Sequence, residues 1–391
     1  MSEFDGTPRA DYAAAAYILS DCCRKFPNYR ELSKRLSNLY DASLSSSTSF
    51  LRMCDQRLTF IGGVILDERY ALEGEKLEAE YCELLRECLL RPNAENGAFD
   101  ETVTSLMRAE LIDTIDSVIN DKASYAAQNA ARTAFVGEPG ETPANGTHEE
   151  AEKVTAQSAY AAYRKIIETG HFEIVAAGYS DFDDAERIFT EMMTQIERHD
   201  MCELTCKPSL LKSEPAYVSD KLPMNQAILR MYFKAPELTD FYAAKLFTMI
   251  LGGMTTSRFF MNIREKQSLC YYCASLSNKF KRTLTAYAGI EPANIERVQE
   301  AIKAELAEIC EDGVTDEEVN AAKREIENMV ASMRDTTAIA GWYLDQITEE
   351  RILSPEEYYE EIKQVTPERI QAVARLYKLD TVYTLSGEEQ E

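Results

Sequence analysis

The chain has 391 residues, 45% of them hydrophobic and 9% aromatic, with 42 Lys and Arg against 67 Asp and Glu, a net charge of −25. That length favours two domains of ordinary size, and the apolar content suffices to bury a core in each, which excludes disorder as the default reading. The acidic balance repels phosphate and excludes a general nucleic-acid binder, while it suits a cytoplasmic protein and allows a preference for basic or neutral peptides.

The first residues, Met1-Ser2-Glu3-Phe4-Asp5-Gly6, are polar and acidic, unlike a secretory signal, and no run of about eighteen apolar residues predicts a membrane span. Ten cysteines without such a signal read as reduced thiols; Cys54, Cys82, Cys88 and Cys310 lie in apolar or helical surroundings. Helices are expected over Asp11 to Ser20 and Arg24 to Ser37, and a strand over Thr59 to Leu66, interrupted by Gly62-Gly63. Gly97-Ala98-Phe99-Asp100-Glu101 opens a long helix. The Gly, Pro, Asn and Thr of residues 137–147 make an exposed loop, and Phe172 to Ala177 reads as a strand. The stretch from Arg198 to Lys221 has mixed polarity and no sustained period, and serves as a linker.

Beyond it, Ala227 to Phe233 and Leu284 to Ile290 read as strands. Ile295, Val298, Ile302, Leu306 and Ile309 recur at helical spacing and predict a helix lying on a sheet. Thr315-x-x-Glu318, Ser354-Pro355-Glu356-Glu357 and Thr366-Pro367 mark three helix starts. Acidic runs such as Glu356-Glu357 and Glu388-Glu389 are solvated helix starts and tails.

Three landmarks recur in order. Gly97-Ala98-Phe99-Asp100-Glu101 returns as Gly313-Val314-Thr315-Asp316-Glu317, 216 positions on. Glu152-Lys153-Val154-Thr155 returns as Lys363-Gln364-Val365-Thr366 after 211, and Phe172 to Ala177 as Thr381 to Leu385 after 209. Near-constant offsets predict a duplication. The expected fold is α+β: two homologous α/β domains in tandem, each a mostly antiparallel sheet packed with helices. The first covers residues 1–200, a linker 201–219, and the second 220–391.

The most informative segment runs from Leu251 to Tyr272: a helix end, Gly252-Gly253, a short helix carrying Phe259, Phe260 and Ile263, then a strand containing Tyr271. Gly252-Gly253 reads as a tight turn with positive φ; without a Walker lysine it is no phosphate cradle. Ile263-Arg264-Glu265-Lys266 and Leu269-Cys270-Tyr271, with the tyrosine seven residues after the arginine, resemble the carboxy-terminal domain of insulinase/pitrilysin metallopeptidases. Together with Glu95 to Glu101 and Ile119 to Ala126, they look most like the bacterial members associated with the 5-aminopentanol modification of elongation factor P. The resemblance covers residues 12–388.

That family builds its zinc site from H-x-x-E-H on a helix of the first domain, completed by a distant glutamate. This chain has three histidines, His148, His171 and His199, none within a helical turn of another, so the motif is absent. His148 sits beside an exposed loop, and His171 and His199 read as surface residues. Cys202-x3-Cys206 with Cys270-x2-Cys273 is a poor zinc site, because a strand would point Cys270 and Cys273 to opposite faces. No metal ligand and no cofactor is therefore assigned to this chain. Family members usually begin with a strand pair before the helix that starts here near Asp11, so the amino terminus reads as short and the first sheet as incomplete.

The resemblance implies a clamshell-type dimer and a non-catalytic subunit, inactive alone. The partner would be a homologous H-x-x-E-H chain holding zinc, or a second copy of this chain, with a peptide substrate between the halves. Arg264 would position the peptide and Tyr271 would stabilise the oxyanion. The rival reading is a scaffold or peptide-binding accessory of elongation factor P modification, with no hydrolytic role.

Overall fold

The computed structural model describes residues 1–50, 56–333 and 336–387; Cys54 and Glu388-Glu389 lie outside them. Two compact units emerge. The first takes residues 1–50, 56–117 and 142–205, and the second 118–141 with 206–333 and 336–387. The first boundary expectation ended the leading domain near residue 200. The structure additionally gives residues 118–141 to the second unit.

In chain order the first unit holds β1 (Ser2–Glu3), α1 (Arg9–Asp21), α2 (Tyr29–Ser37), β2 (Ser45–Phe50), β3 (Gln56–Gly62), α3 (Leu77–Leu90), the ribbon β4 (Ala94–Glu95) and β5 (Ala98–Phe99), and α4 (Glu101–Ser117). After α5 (Lys122–Ala134), which belongs to the second unit, it resumes with α6 (His148–Glu152), α7 (Ala156–Thr169) and α8 (Asp183–Thr194). Its sheet has the order β1-β3-β2, all antiparallel. The alanine-rich α1 is buried almost all round, packed with α4, α6 and α7 through Ala10, Ala14, Ile18, Met107, Leu111 and Tyr163.

Several local expectations shift. α2 starts at Tyr29 because Asn28 caps it, accepting the Glu31 N–H at 3.1 Å, directly after Pro27. β3 ends at Gly62: at Gly63 a side chain's Cβ would stand 2.0 Å from the Ser43 carbonyl oxygen, an approach only glycine tolerates. The segment 172–177 is not a strand; its Ile174 is exposed and it has no ladder. The sheet is nonetheless continued at one residue, since Met1 and His171 exchange both backbone hydrogen bonds, at 2.5 and 2.8 Å. The 137–147 loop is packed rather than exposed. Gly140 and Gly146 are buried, the Arg9 guanidinium donates to the Thr142 carbonyl, and Glu138 accepts from Ser209 at 2.5 Å and Lys281 at 2.9 Å.

The second unit holds β6 (Ala216–Lys221), β7 (Ala227–Lys234), α9 (Phe241–Thr248), β8 (Cys270–Asn278), β9 (Thr283–Ile290), α10 (Ile295–Asp312), α11 (Asp316–Met333), α12 (Ala338–Leu344), α13 (Pro355–Lys363), α14 (Pro367–Ala374) and β10 (Lys378–Ser386). Its five strands run β6-β10-β7-β9-β8, with only β6–β10 parallel. β6 falls within the stretch read as linker. The expected caps hold at Thr315 and Ser354, both as full capping boxes; Thr366 starts a helix without a side-chain cap.

Period-two alternation decides what each face of β7 meets. Ala227, Leu229, Met231 and Phe233 join the helical layer with Phe247, Ile302, Ile326 and Ile370, while Ile228 and Tyr232 face Ala126, Ala130, Ala134 and Phe135 of α5 and its exit. β7 and β9, inside the sheet, are buried on both faces and read as nearly continuous apolar runs. The mixed, mostly antiparallel α+β architecture stands as expected from the sequence. The strand order β1-β3-β2 of one unit repeats β7-β9-β8 of the other.

Candidate functional site

The Arg264–Tyr271 segment is built by two consecutive π-helical turns, Met249–Gly253 and Phe259–Lys266, followed by β8. Phe259 and Ile263 anchor the second turn in the core, leaving Arg264 to project at its end. Gly252 and Gly253 are not positive-φ turn residues, contrary to expectation. Gly252 is there for closeness: a Cβ would lie 2.5 Å from the Phe259 ring and 2.6 Å from the Ser275 nitrogen, so glycine lets the helical end press onto β8. At Gly253 the nearest atoms stand looser, at 3.1 Å from the Met249 sulfur.

Arg264 is 42% exposed, stacks 4.7 Å over the Phe260 ring and stands 3.7 Å from Glu265. Such an exposed contact contributes only about 0–1 kcal/mol, so the guanidinium can turn to another partner. Tyr271 is 48% exposed, and its hydroxyl donates to Glu291 at 3.1 Å; that bond to a carboxylate raises its pKa. Both side chains lie on the open flank of the second unit, where β8 ends the sheet and pairs only with β9 among the described residues.

A register shift between Cys270 and Tyr272 overturns the expectation for the cysteine pair. The bulge turns both thiols to the core side, where Cys273 is buried and Cys270 packs against it. They share a hydrogen bond that lowers the Cys270 pKa and raises that of Cys273, burial adding to the latter.

The resemblance places the family's zinc motif in the helical region of α1 and α2, and the buried middle of α1 does not fit a metal. Ala13, Ala14, Ala15 and Ala16 occupy its buried middle, and its acids stand at the ends. Asp11, raised by burial, accepts the Ser158 hydroxyl at 2.5 Å. His148 bonds Asp116 at 2.8 Å, and His171 bonds Glu173 at 2.7 Å, so two of the three imidazoles are engaged in separate surface pairs. Among the described residues no three His, Cys, Asp or Glu side chains are grouped to hold a metal ion. No helix among them is long and apolar enough to cross a membrane.

Sequence reasoning passed over Lys245. Its signal was present, a single charge in the apolar stretch Phe241-Tyr242-Ala243-Ala244-Lys245-Leu246-Phe247.

Comparison with known proteins agrees with this geometry. Residues 153–326 match the family described as the peptidase M16 inactive domain. The chain is 24% identical over 382 residues to the probable inactive metalloprotease YmfF of Bacillus subtilis, covering 96% of this chain and 89% of that one. Its fold is similar to the crystal structure of a conserved protein from Enterococcus faecalis V583, with TM-score 0.86, 23% identity, and coverage of 100% and 92% of the two chains. It is also similar to that of a peptidase M16 inactive domain from Pseudomonas fluorescens, with TM-score 0.77, 15% identity, and coverage of 99% and 91%. With residues 153–326 matching the inactive domain and a fold like that of these M16 structures, the chain resembles the inactive homologues of the insulinase/pitrilysin (M16) metallopeptidase family.

Proposed function

We propose that this chain is the non-catalytic subunit of a two-chain zinc peptidase, pairing with a homologous chain that carries H-x-x-E-H. The observation that carries the reading is the pairing of opposites: α1 holds no metal ligands in its buried middle, while Arg264 and Tyr271 remain exposed at an open sheet edge. Zinc and its activated water would come from the partner. Arg264 would bind peptide carbonyl or carboxylate oxygens, and the Tyr271 hydroxyl would turn from Glu291 to the oxyanion as charge develops there. The outer edge of β8, unpaired among the described residues, offers an extended peptide backbone hydrogen bonds, which suits such a substrate.

The test is reconstitution. Mixing this chain with its H-x-x-E-H paralogue is expected to give chelator-sensitive peptide cleavage that neither shows alone. Arg264→Ala and Tyr271→Phe are expected to lower turnover of the assembled pair by about 10²–10³-fold, as loss of an oxyanion donor does, with assembly intact. Both chains folded and associated, yet inactive on every peptide, would support the scaffold reading instead, an accessory of elongation factor P modification.

A further inference from the structure

The second unit contains a cavity of about 840 Å³, between α9, the far end of β8 with the β8–β9 turn, and the helices that follow residue 329; neither Arg264 nor Tyr271 lines it. One wall is aromatic. Tyr242 and Tyr358 pack with ring centroids 5.4 Å apart, and Trp342 meets Tyr358 edge-on at 5.1 Å, its indole N–H bonded to the Leu353 carbonyl at 2.8 Å. Met329 and Met333 add flexible apolar surface.

Asp345 also lines the cavity, and three of the cavity's four cations are paired, one of them with Glu357 outside the lining. Arg369 is gripped by Asp240 at 2.8 Å, Lys279 by Glu349 at 2.6 Å, and Arg351 by Glu357 at 3.2 Å. Lys245, on α9, has no ion pair and no hydrogen bond among the described residues. Burial alone lowers its pKa. A second polar group is also unanswered: the Tyr377 hydroxyl is buried, lines the same cavity and has no partner. A desolvated ammonium without a counter-ion costs stability, and proteins retain such a group where a ligand supplies the missing charge. A roomy apolar cavity with few polar groups is the general form of a small-ligand site.

We propose that this cavity binds a ligand with an apolar body and a carboxylate head, the head against Lys245 and the body along Tyr242, Tyr358 and Trp342. The chemistry is shared by a free fatty or aromatic acid and by the carboxy terminus of an apolar peptide. It is independent of the peptidase-subunit reading, because none of these residues belongs to that segment.

Trp342 is the only tryptophan of the chain, so its fluorescence reports this cavity alone. The full chain would be titrated with octanoate and octanamide, and with N-acetylated trileucine bearing a free or an amidated carboxy terminus. The expected result is a saturable change in emission, at least tenfold tighter for an acid than for its amide. Response to octanoate assigns a free acid, and response to the peptide acid alone assigns a chain terminus; both support the site. K245M, checked for fold by circular dichroism, is expected to abolish the acid preference while leaving the amide unaffected. Equal affinity for acid and amide in the native chain, or no saturable change with any of the four probes, overturns the proposal without recourse to the variant.

Discussion

The two sheets of this protein share a strand order but differ in how they are enclosed and in how each buries a cation. In the second unit β7 and β9 are buried on both faces, with the α9–α14 layer against one side and, for β7, α5 against the other. In the first, β2 and β3 are mostly half-exposed. The second sheet buries Lys234 with the carboxylate of Asp380 at 3.3 Å, and Asp380 also takes Lys212 at 2.8 Å. The first buries Arg57 with no carboxylate in ion-pair range among the described residues: its guanidinium lies 3.4 Å over Tyr12 and 4.7 Å from Phe4, bonded to Ser2 at 3.2 Å. Burial lowers the Arg57 pKa, and two of its nitrogens have no partner. One topology thus tolerates two electrostatic solutions, an ion network and an aromatic enclosure, because ring faces can substitute for a counter-ion around a weakly hydrated guanidinium but less well around an ammonium.

Removing the counter-ion tests that contrast hardest. Asp380→Ala leaves Lys234 with the carbonyls of Ala134 and Leu210 and the Phe135 ring 5.5 Å away but no ion pair, and a loss of about 3–5 kcal/mol is expected in denaturant unfolding. A change below about 1 kcal/mol would show that the network is dispensable. Hydrogen exchange should separate the sheets next. Amides of β7 and β9 are expected to exchange at least about a hundredfold more slowly than those of β2, a gap of ~2.7 kcal/mol; equal rates would mean that enclosure by α5 adds nothing.

Arg57→Met sharpens the other half of the comparison. If aromatic faces and an apolar surround hold the guanidinium, an apolar side chain of similar length should cost less than about 1.5 kcal/mol. A loss as large as that of Asp380→Ala would reveal an essential charge. The smallest effect concerns acid. Burial alone would raise the Asp5 pKa, but hydrogen bonds from Lys165, at 2.7 Å, and Thr7 outweigh it and hold the carboxyl down to about 2. A depressed folded pKa stabilises above the unfolded value and is lost as pH falls through the folded one, so this contribution fades between about pH 4 and pH 2. For a pair this exposed it amounts to about 0.2–1 kcal/mol, and Asp5→Asn should remove that share of the acid sensitivity.

Residue patterns alone determined the helices at α4, α10, α11 and α13, the strands β7, β9 and β10, the recurring order of landmarks, the family resemblance and the absence of H-x-x-E-H. Each rests on periodicity, capping chemistry or residue identity, which act locally and are visible along the chain. Tertiary structure decided the remainder. Only packing assigns α5 to the second sheet, because an alanine stripe at 126, 130 and 134 does not say which sheet it covers. Only a ladder partner turns an apolar stretch into a strand, which Phe172 to Ala177 lacks and Ala216–Lys221 has. The bulge that brings Cys270 and Cys273 to one side, the contact that demands Gly252, and the cavity around Lys245 all arise from chain segments distant in sequence, and such contacts leave no periodic mark.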